Sequence, residues 1–142
     1  MIKVDISNLN RQHNDIANLI TEVEGYLSVK KVSVTASAFE VTMKIAKLAG
    51  LLKIHLKHED EVLYPKLRTS NDLKVRQTTE CFINEMGGLS SAFDEYRCLY
   101  KNSNYIKDNP DEFIRDTEAI IDALRKRVKK ENEDLYLLAE QL

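Results

Sequence analysis

The stretch HLKHEDEVLYP, His55 to Pro65, places two histidines and three carboxylates within eleven residues. Such side chains either solvate a helix end or hold a cation, and their spacing separates the two roles. His55 and Glu59 are four residues apart and share one face of a helix. His58, Asp60 and Glu61 fall off that face and are expected at the rim or in solvent. Arg127 and Glu131 repeat the four-residue spacing late in the chain, and His13 stands near its start. Two carboxylates buried side by side must be protonated, ion-paired or bound to metal. A cation held by His13, His55, Glu59 and Glu131 would satisfy them, and a mixed imidazole and carboxylate set suits iron, manganese or zinc. Arg127 could pair with either carboxylate. No nucleophile–base pair or acid–base couple accompanies these groups, so no enzymatic activity is expected.

These groups can meet only if the elements that carry them bring them to one level. Four stripes with helical period are legible. The first is Leu9, His13, Ile16, Ile20, Val23 and Leu27, with Ser7 or Asn8 as its expected cap. A polar Ser-Val-Lys-Lys-Val-Ser break follows. The second stripe, on a helix from about Thr35 to Pro65, is Ile45, Leu48, Leu52, His55, Glu59 and Val62. After a Thr69-Ser70-Asn71-Asp72 loop and cap, the third is Val75, Thr79, Phe82, Met86, Leu89, Phe93 and Tyr96. It is interrupted by Gly87-Gly88, which permits close approach of a neighbour. Asn109-Pro110-Asp111-Glu112 opens the fourth with a cap, a proline in the first turn and acid beside it. That stripe is Phe113, Thr117, Ile120, Leu124, Arg127, Glu131, Leu135 and Leu138. The pattern predicts an all-α, antiparallel up-down-up-down four-helix bundle, one domain over residues 1–142. In that topology His13, His55–Glu59, Met86 and Arg127–Glu131 reach one layer. Tyr64 and Tyr136 are expected at the edge of the core.

Composition narrows the setting. With 142 residues the chain can bury a core of its own, and its net charge of −2 lacks a nucleic-acid footprint. The basic run RKRVKK, 125–130, reads mostly as a solvated helix face. No apolar run spans a membrane, and MIKVDISNLN has no apolar segment of a secretory signal. Cys81 and Cys98 on one helix would lie about 25 Å apart, too far for a disulfide, so a cytoplasmic location is expected.

The late pair is also an echo of the early one. His55-Leu-Lys-His-Glu59-Asp-Glu-Val-Leu-Tyr64 aligns without gaps on Arg127-Val-Lys-Lys-Glu131-Asn-Glu-Asp-Leu-Tyr136. The echo keeps the glutamate and the tyrosine and replaces His55 by Arg127. With LNRQHNDI around His13, HLKHEDEVLYPKL, NEMGGL and RVKKENEDLYLLAE, the chain resembles the hemerythrin-like (HHE cation-binding) family. The resemblance implies a four-helix bundle around a non-haem di-iron centre, with histidines from helices one and two on one iron. Histidines from helices three and four hold the other, and two carboxylates bridge them. It also implies oxygen binding, sensing of oxygen, iron or nitric oxide, or repair of iron centres. His13, His55, Glu59 and Glu131 match that pattern. Met86 and Arg127 stand where the second iron's histidines are expected; a guanidinium cannot ligate, and a thioether suits hard iron poorly.

Taken with this resemblance, the matching residues imply one metal, iron before other divalent ions, in a degenerate site, with oxygen or nitric oxide as a ligand. The sensing or regulatory role that the resemblance implies would act through a separate signalling protein, because no fused output domain is legible. The competing reading is a metal-free bundle in which Arg127 pairs with Glu59 and Glu131. A third, a di-iron carrier with Glu85 or Cys81 as substitute ligands, needs those side chains to turn inward.

Overall fold

The computed structural model describes residues 6–140; the first five residues of MIKVDISNLN and the last two of the chain lie outside the described residues. The regular structure of the described residues is all helix, with no strand among them. In order they form α1 (Ser7–Glu24), α2 (Val29–Val32), α3 (Thr35–His58), a π-helical turn (Glu59–Leu63) and α4 (Tyr64–Arg68). Then follow α5 (Leu73–Met86), α6 (Leu89–Tyr100), α7 (Ser103–Asp108), α8 (Pro110–Lys130), a second π-helical turn (Glu131–Leu135) and α9 (Tyr136–Glu140). None of these helices is long and apolar enough to cross a membrane.

The stripes meet as a helical bundle: α1 lies mainly on α3, α3 also touches α6 and α7, and α6 lies on α8. The buried apolar residues divide into two clusters. The larger holds Ile16, Ile20, Val41, Ile45, Phe93, Tyr100, Phe113 and Leu124 among others. The smaller holds Leu9, Leu63, Leu67, Phe82, Leu135 and Tyr136 among others. Each buried side chain of this size contributes about 1.5–3 kcal/mol. His13, His55, Glu59, Arg127 and Glu131 are buried too, and in sequence they fall between the members of the two clusters. A polar layer is thus held between two apolar ones.

Several local expectations change. The Ser-Val-Lys-Lys-Val-Ser break folds as α2. Ser28 Oγ accepts from the Lys31 amide at 3.2 Å, and Val32 is fully buried. Residues 103–108, not foreseen as helix, form α7. Helix α1 begins at Ser7 itself, so Ile6 and neither Ser7 nor Asn8 stands at the cap position. Asp72 does cap α5, accepting from the Lys74 amide at 2.9 Å. Asn109 does not cap α8; its amide donates to the Tyr105 carbonyl at 3.1 Å, although Pro110 and the acidic first turn are where expected. Gly87-Gly88 ends α5 and starts α6, so Cys81 and Cys98 lie on separate helices; both are free and exposed. At Gly87 the crowding comes from its own helix: a Cβ would stand 2.7 Å from the Ile83 carbonyl oxygen.

Val62 leaves the core. It is 37% exposed, while Leu63, Tyr64 and Leu67 take the inward positions. The π-helical turn is the reason, because it holds one extra residue and rotates everything after Glu59. Pro65, which cannot donate and crowds the turn before it, sits just beyond this turn. Proline is not the general cause, since the second π-helical turn begins at Glu131 without one.

Candidate metal centre

His13 on α1, His55 on α3 and the glutamates that open the two π-helical turns are all at most 4% exposed. One ligand atom from each lies within 4.8 Å of all the others. His13 Nε2 stands 2.8 Å from Glu131 Oε1. His55 Nε2 stands 3.2 Å from the same oxygen and 3.4 Å from Glu59 Oε2. The four residues expected from the sequence to hold a cation are therefore gathered.

The outer nitrogens of the imidazoles determine what the inner ones can do. His13 Nδ1 faces Asn132 Oδ1 at 3.1 Å, and His55 Nδ1 faces Gln12 Oε1 at 2.8 Å. Amide oxygens only accept, so both Nδ1 atoms carry the proton and donate. The Gln12 orientation is fixed in turn by its amide nitrogen, 3.4 Å from His58 Nδ1. Whenever a ring is neutral its lone pair is therefore on Nε2, the tautomer a metal ligand needs. These Nε2 atoms are only 3.1 Å apart, and both also face a carboxylate oxygen. Acceptors facing acceptors in a buried space require a cation or a proton between them.

Arg127 occupies the other side of the same carboxylates. Its Nη2 donates to Glu59 Oε1 at 3.3 Å and its Nε to Glu131 Oε2 at 3.4 Å. Each glutamate thus directs one oxygen to the imidazoles and the other to the guanidinium. Nη2 also donates to the Tyr64 hydroxyl at 3.2 Å, and Nη1 to the Met86 carbonyl at 3.2 Å. The guanidinium carbon lies 5.7 Å from the centre of the Phe82 ring. Met86, partly buried, thus serves the layer through its backbone.

Burial alone would pull the His55 imidazole down, but hydrogen bonds to Glu131 and Glu59 outweigh it and hold its pKa at about 9. The two carboxyls split. Burial, with Glu131 beside it, pushes Glu59 up to about 7. Burial also works on Glu131, but hydrogen bonds from Glu59, His13 and His55 win and hold it well below the usual carboxylate range. Burial works against the Arg127 charge as well, yet Glu131, Tyr64 and Glu59 raise its pKa further. Once Glu59 is ionised, a proton on His55 with Arg127 balances the two carboxylates, and a divalent ion can displace that proton.

Two tyrosines belong to the site that were expected at the core edge. Tyr136 OH donates to Glu59 Oε2 at 3.1 Å and lies 3.1 Å from His13 Nε2, with its ring stacked on His13 at 5.0 Å. Burial and the neighbouring carboxylates raise both phenols, so they remain protonated donors. The signal was present in the echo, which conserves a tyrosine five residues after each glutamate. Five residues do not share a face on an α-helix, but they align across a π-helical turn. His58 is partly buried at the rim, while Asp60, Glu61, Glu85 and Cys81 are exposed. Glu85 pairs with Lys130 at 2.8 Å. Neither substitute ligand for a second ion turns inward.

The model of the hemerythrin HHE cation-binding domain matches residues 4–139. Nothing among the curated proteins or the solved structures matches the chain.

Proposed function

From a chain that belongs to the hemerythrin HHE cation-binding domain family, we propose a non-haem metal protein that holds one divalent ion, iron, rather than two. His13 Nε2, His55 Nε2, Glu59 and Glu131 would hold it. One observation carries this reading: Glu59 and Glu131 each give one oxygen to the imidazole side and the other to Arg127. That is how bridging carboxylates divide between two cations, with a guanidinium as the second. Arg127 cannot ligate, so the second ion has neither a seat nor a charge to neutralise.

Bound there, a single iron would supply one-electron redox chemistry and affinity for a diatomic molecule such as oxygen or nitric oxide. This chain's residues prepare for it. Gln12 and Asn132 hold the proton on Nδ1, Tyr136 donates to Glu59, and two apolar clusters flank the polar layer. With one ion the family's two-iron oxygen carriage loses its basis, and sensing or regulation through a separate protein is the role that fits. A binding role, not a catalytic one, matches a site without a nucleophile. An antiparallel up-down-up-down course is part of the reading. It is supported by the start of α1 meeting the ends of α3 and α8 in one layer. Two free, exposed thiols are in keeping with a cytoplasmic setting.

Elemental analysis after anaerobic iron loading tests the count. One iron per chain is expected, two would contradict the role of Arg127, and none would remove the metal reading. A metal-free regulatory bundle is the second reading. It is favoured by the absence of any buried side-chain nitrogen or oxygen without a hydrogen-bond partner among the described residues. Melting temperatures with and without chelator separate the two, because an ion bound only to the folded chain must raise the transition.

A further inference from the structure

The Tyr136 hydroxyl lies within the ring of groups that would hold the ion. It stands 3.1 Å from His13 Nε2 and 3.1 Å from Glu59 Oε2. Its one proton goes to Glu59, so the oxygen is left facing the imidazole nitrogen. Spacing decides whether such a neighbour fits a ligand set. Zinc, taken as a yardstick, holds nitrogen and oxygen donors at about 2.0–2.2 Å, which puts donors at neighbouring corners about 3 Å apart. Contacts among His13, His55, Glu59 and Glu131 run from 2.8 to 3.4 Å. Both contacts of Tyr136 fall inside that range.

Arg127 is a cation of the same layer whose partners are visible. It donates to Glu59 Oε1, Glu131 Oε2, the Tyr64 hydroxyl and the Met86 carbonyl. Tyr64 follows Glu59 by five residues, as Tyr136 follows Glu131. Each phenol crosses the layer. Tyr64, at the start of α4, meets the guanidinium; Tyr136, at the start of α9, meets the imidazole side. One cation here already takes an oxygen from each glutamate and one from a phenol. The echo presents the same three kinds of oxygen on the other side.

We propose that Tyr136 is a fifth ligand to the iron, bound through its phenolate oxygen in the ferric state. This rests on the single-iron reading and deepens it. An iron–oxygen bond replaces the O–H bond, and the proton leaves to solvent. An anionic oxygen is a hard donor, so it favours ferric over ferrous ion. Tyr64 does not ligate, because Arg127 holds its oxygen.

The full chain is loaded anaerobically with ferrous ion, its iron is counted, and the ion is oxidised with ferricyanide that gel filtration then removes. A phenolate-to-iron charge-transfer band in the visible is expected. Resonance Raman excitation within it should show tyrosine ring modes that shift when the tyrosines carry ring deuterium. Tyr136→Phe, which keeps the ring stacked on His13, should lose the band, and Tyr64→Phe should keep it. If Tyr136→Phe loses its helical circular dichroism, the labelled parent chain and Tyr64→Phe carry the test. Bound iron without the band or the isotope shift, a band that survives Tyr136→Phe, or one lost in folded Tyr64→Phe would each overturn the fifth ligand and leave the iron count standing. No bound iron would overturn both.

Discussion

His55 and Arg127 occupy equivalent places on the two sides of one carboxylate pair. Each stands one helical turn before the glutamate that opens a π-helical turn, and each reaches both glutamates. His55 Nε2 is 3.4 Å from Glu59 and 3.2 Å from Glu131; Arg127 is 3.3 Å from Glu59 and 3.4 Å from Glu131. The same helical framework therefore presents an exchangeable proton or metal on one side and a permanent cation on the other.

Removing the permanent cation should be costly. Arg127→Ala leaves two buried carboxylates with less compensation, and a loss of about 3–5 kcal/mol is expected in the metal-free protein. Urea unfolding checks this. Metal loading should recover more stability in the variant than in the parent chain, because the ion then carries more of the neutralisation. An equal recovery in both would show that Arg127 and the ion act on different charges.

The protonation of the layer predicts how the metal-free protein responds to pH. His55 is raised from 6.5 to about 9 and Glu59 from 4.5 to about 7. A raised pKa contributes stability that is complete below the unfolded value and lost as pH climbs through the folded one. The Glu59 share is lost between about pH 4.5 and 7, and the His55 share between about 6.5 and 9. Glu131 is lowered, so its share is lost when the medium becomes acidic. Melting in chelator should peak near pH 5 and fall steadily towards 9. Metal affinity should climb over the upper window, because the ion no longer competes with the His55 proton.

Gln12 and Asn132 fix the imidazole tautomers and touch no ligand oxygen. Gln12→Ala and Asn132→Ala are each expected to weaken metal binding by about 10–100-fold. Titration against a competing chelator measures it. Asn132 is exposed, so its replacement should leave metal-free unfolding nearly unchanged. An affinity equal to the parent chain's would mean that the tautomer is set elsewhere.

Tyr136→Phe removes one donor from Glu59 and keeps the ring stacked on His13. A cost of about 1–3 kcal/mol is expected for the acceptor left behind, read by denaturant unfolding without metal. The lost donor should also raise the pKa of Glu59, moving the acidic part of the stability curve to higher pH. A variant as stable as the parent would place the phenol outside the network.

The gathering of His13, His55, Glu59 and Glu131 was legible because it needed only period and helix order. Apolar residues at steps of three and four define a face, and a polar residue on that face must enter the interior with its neighbours. The replacement of an expected histidine by Arg127 was legible from the echo alone. The lesser turns were not: α2 and α7 are too short for a period, and the interior position of Val32 comes from what covers it.

The sequence by itself determined which groups share a layer and that one side of the layer has a guanidinium where an imidazole is expected. Tertiary structure alone decided the direction of each lone pair. Gln12 lies one residue before His13 yet orients His55, on another helix, and Asn132 follows Glu131 yet orients His13. Such contacts cross helices and have no period. Tyr64 and Tyr136 reach the centre, and Val62 leaves it, because a π-helical turn adds one residue after each glutamate. A reading at constant helical pitch cannot contain that rotation. The buried carboxylates and the groups that neutralise them become visible only when both halves of the chain are packed together.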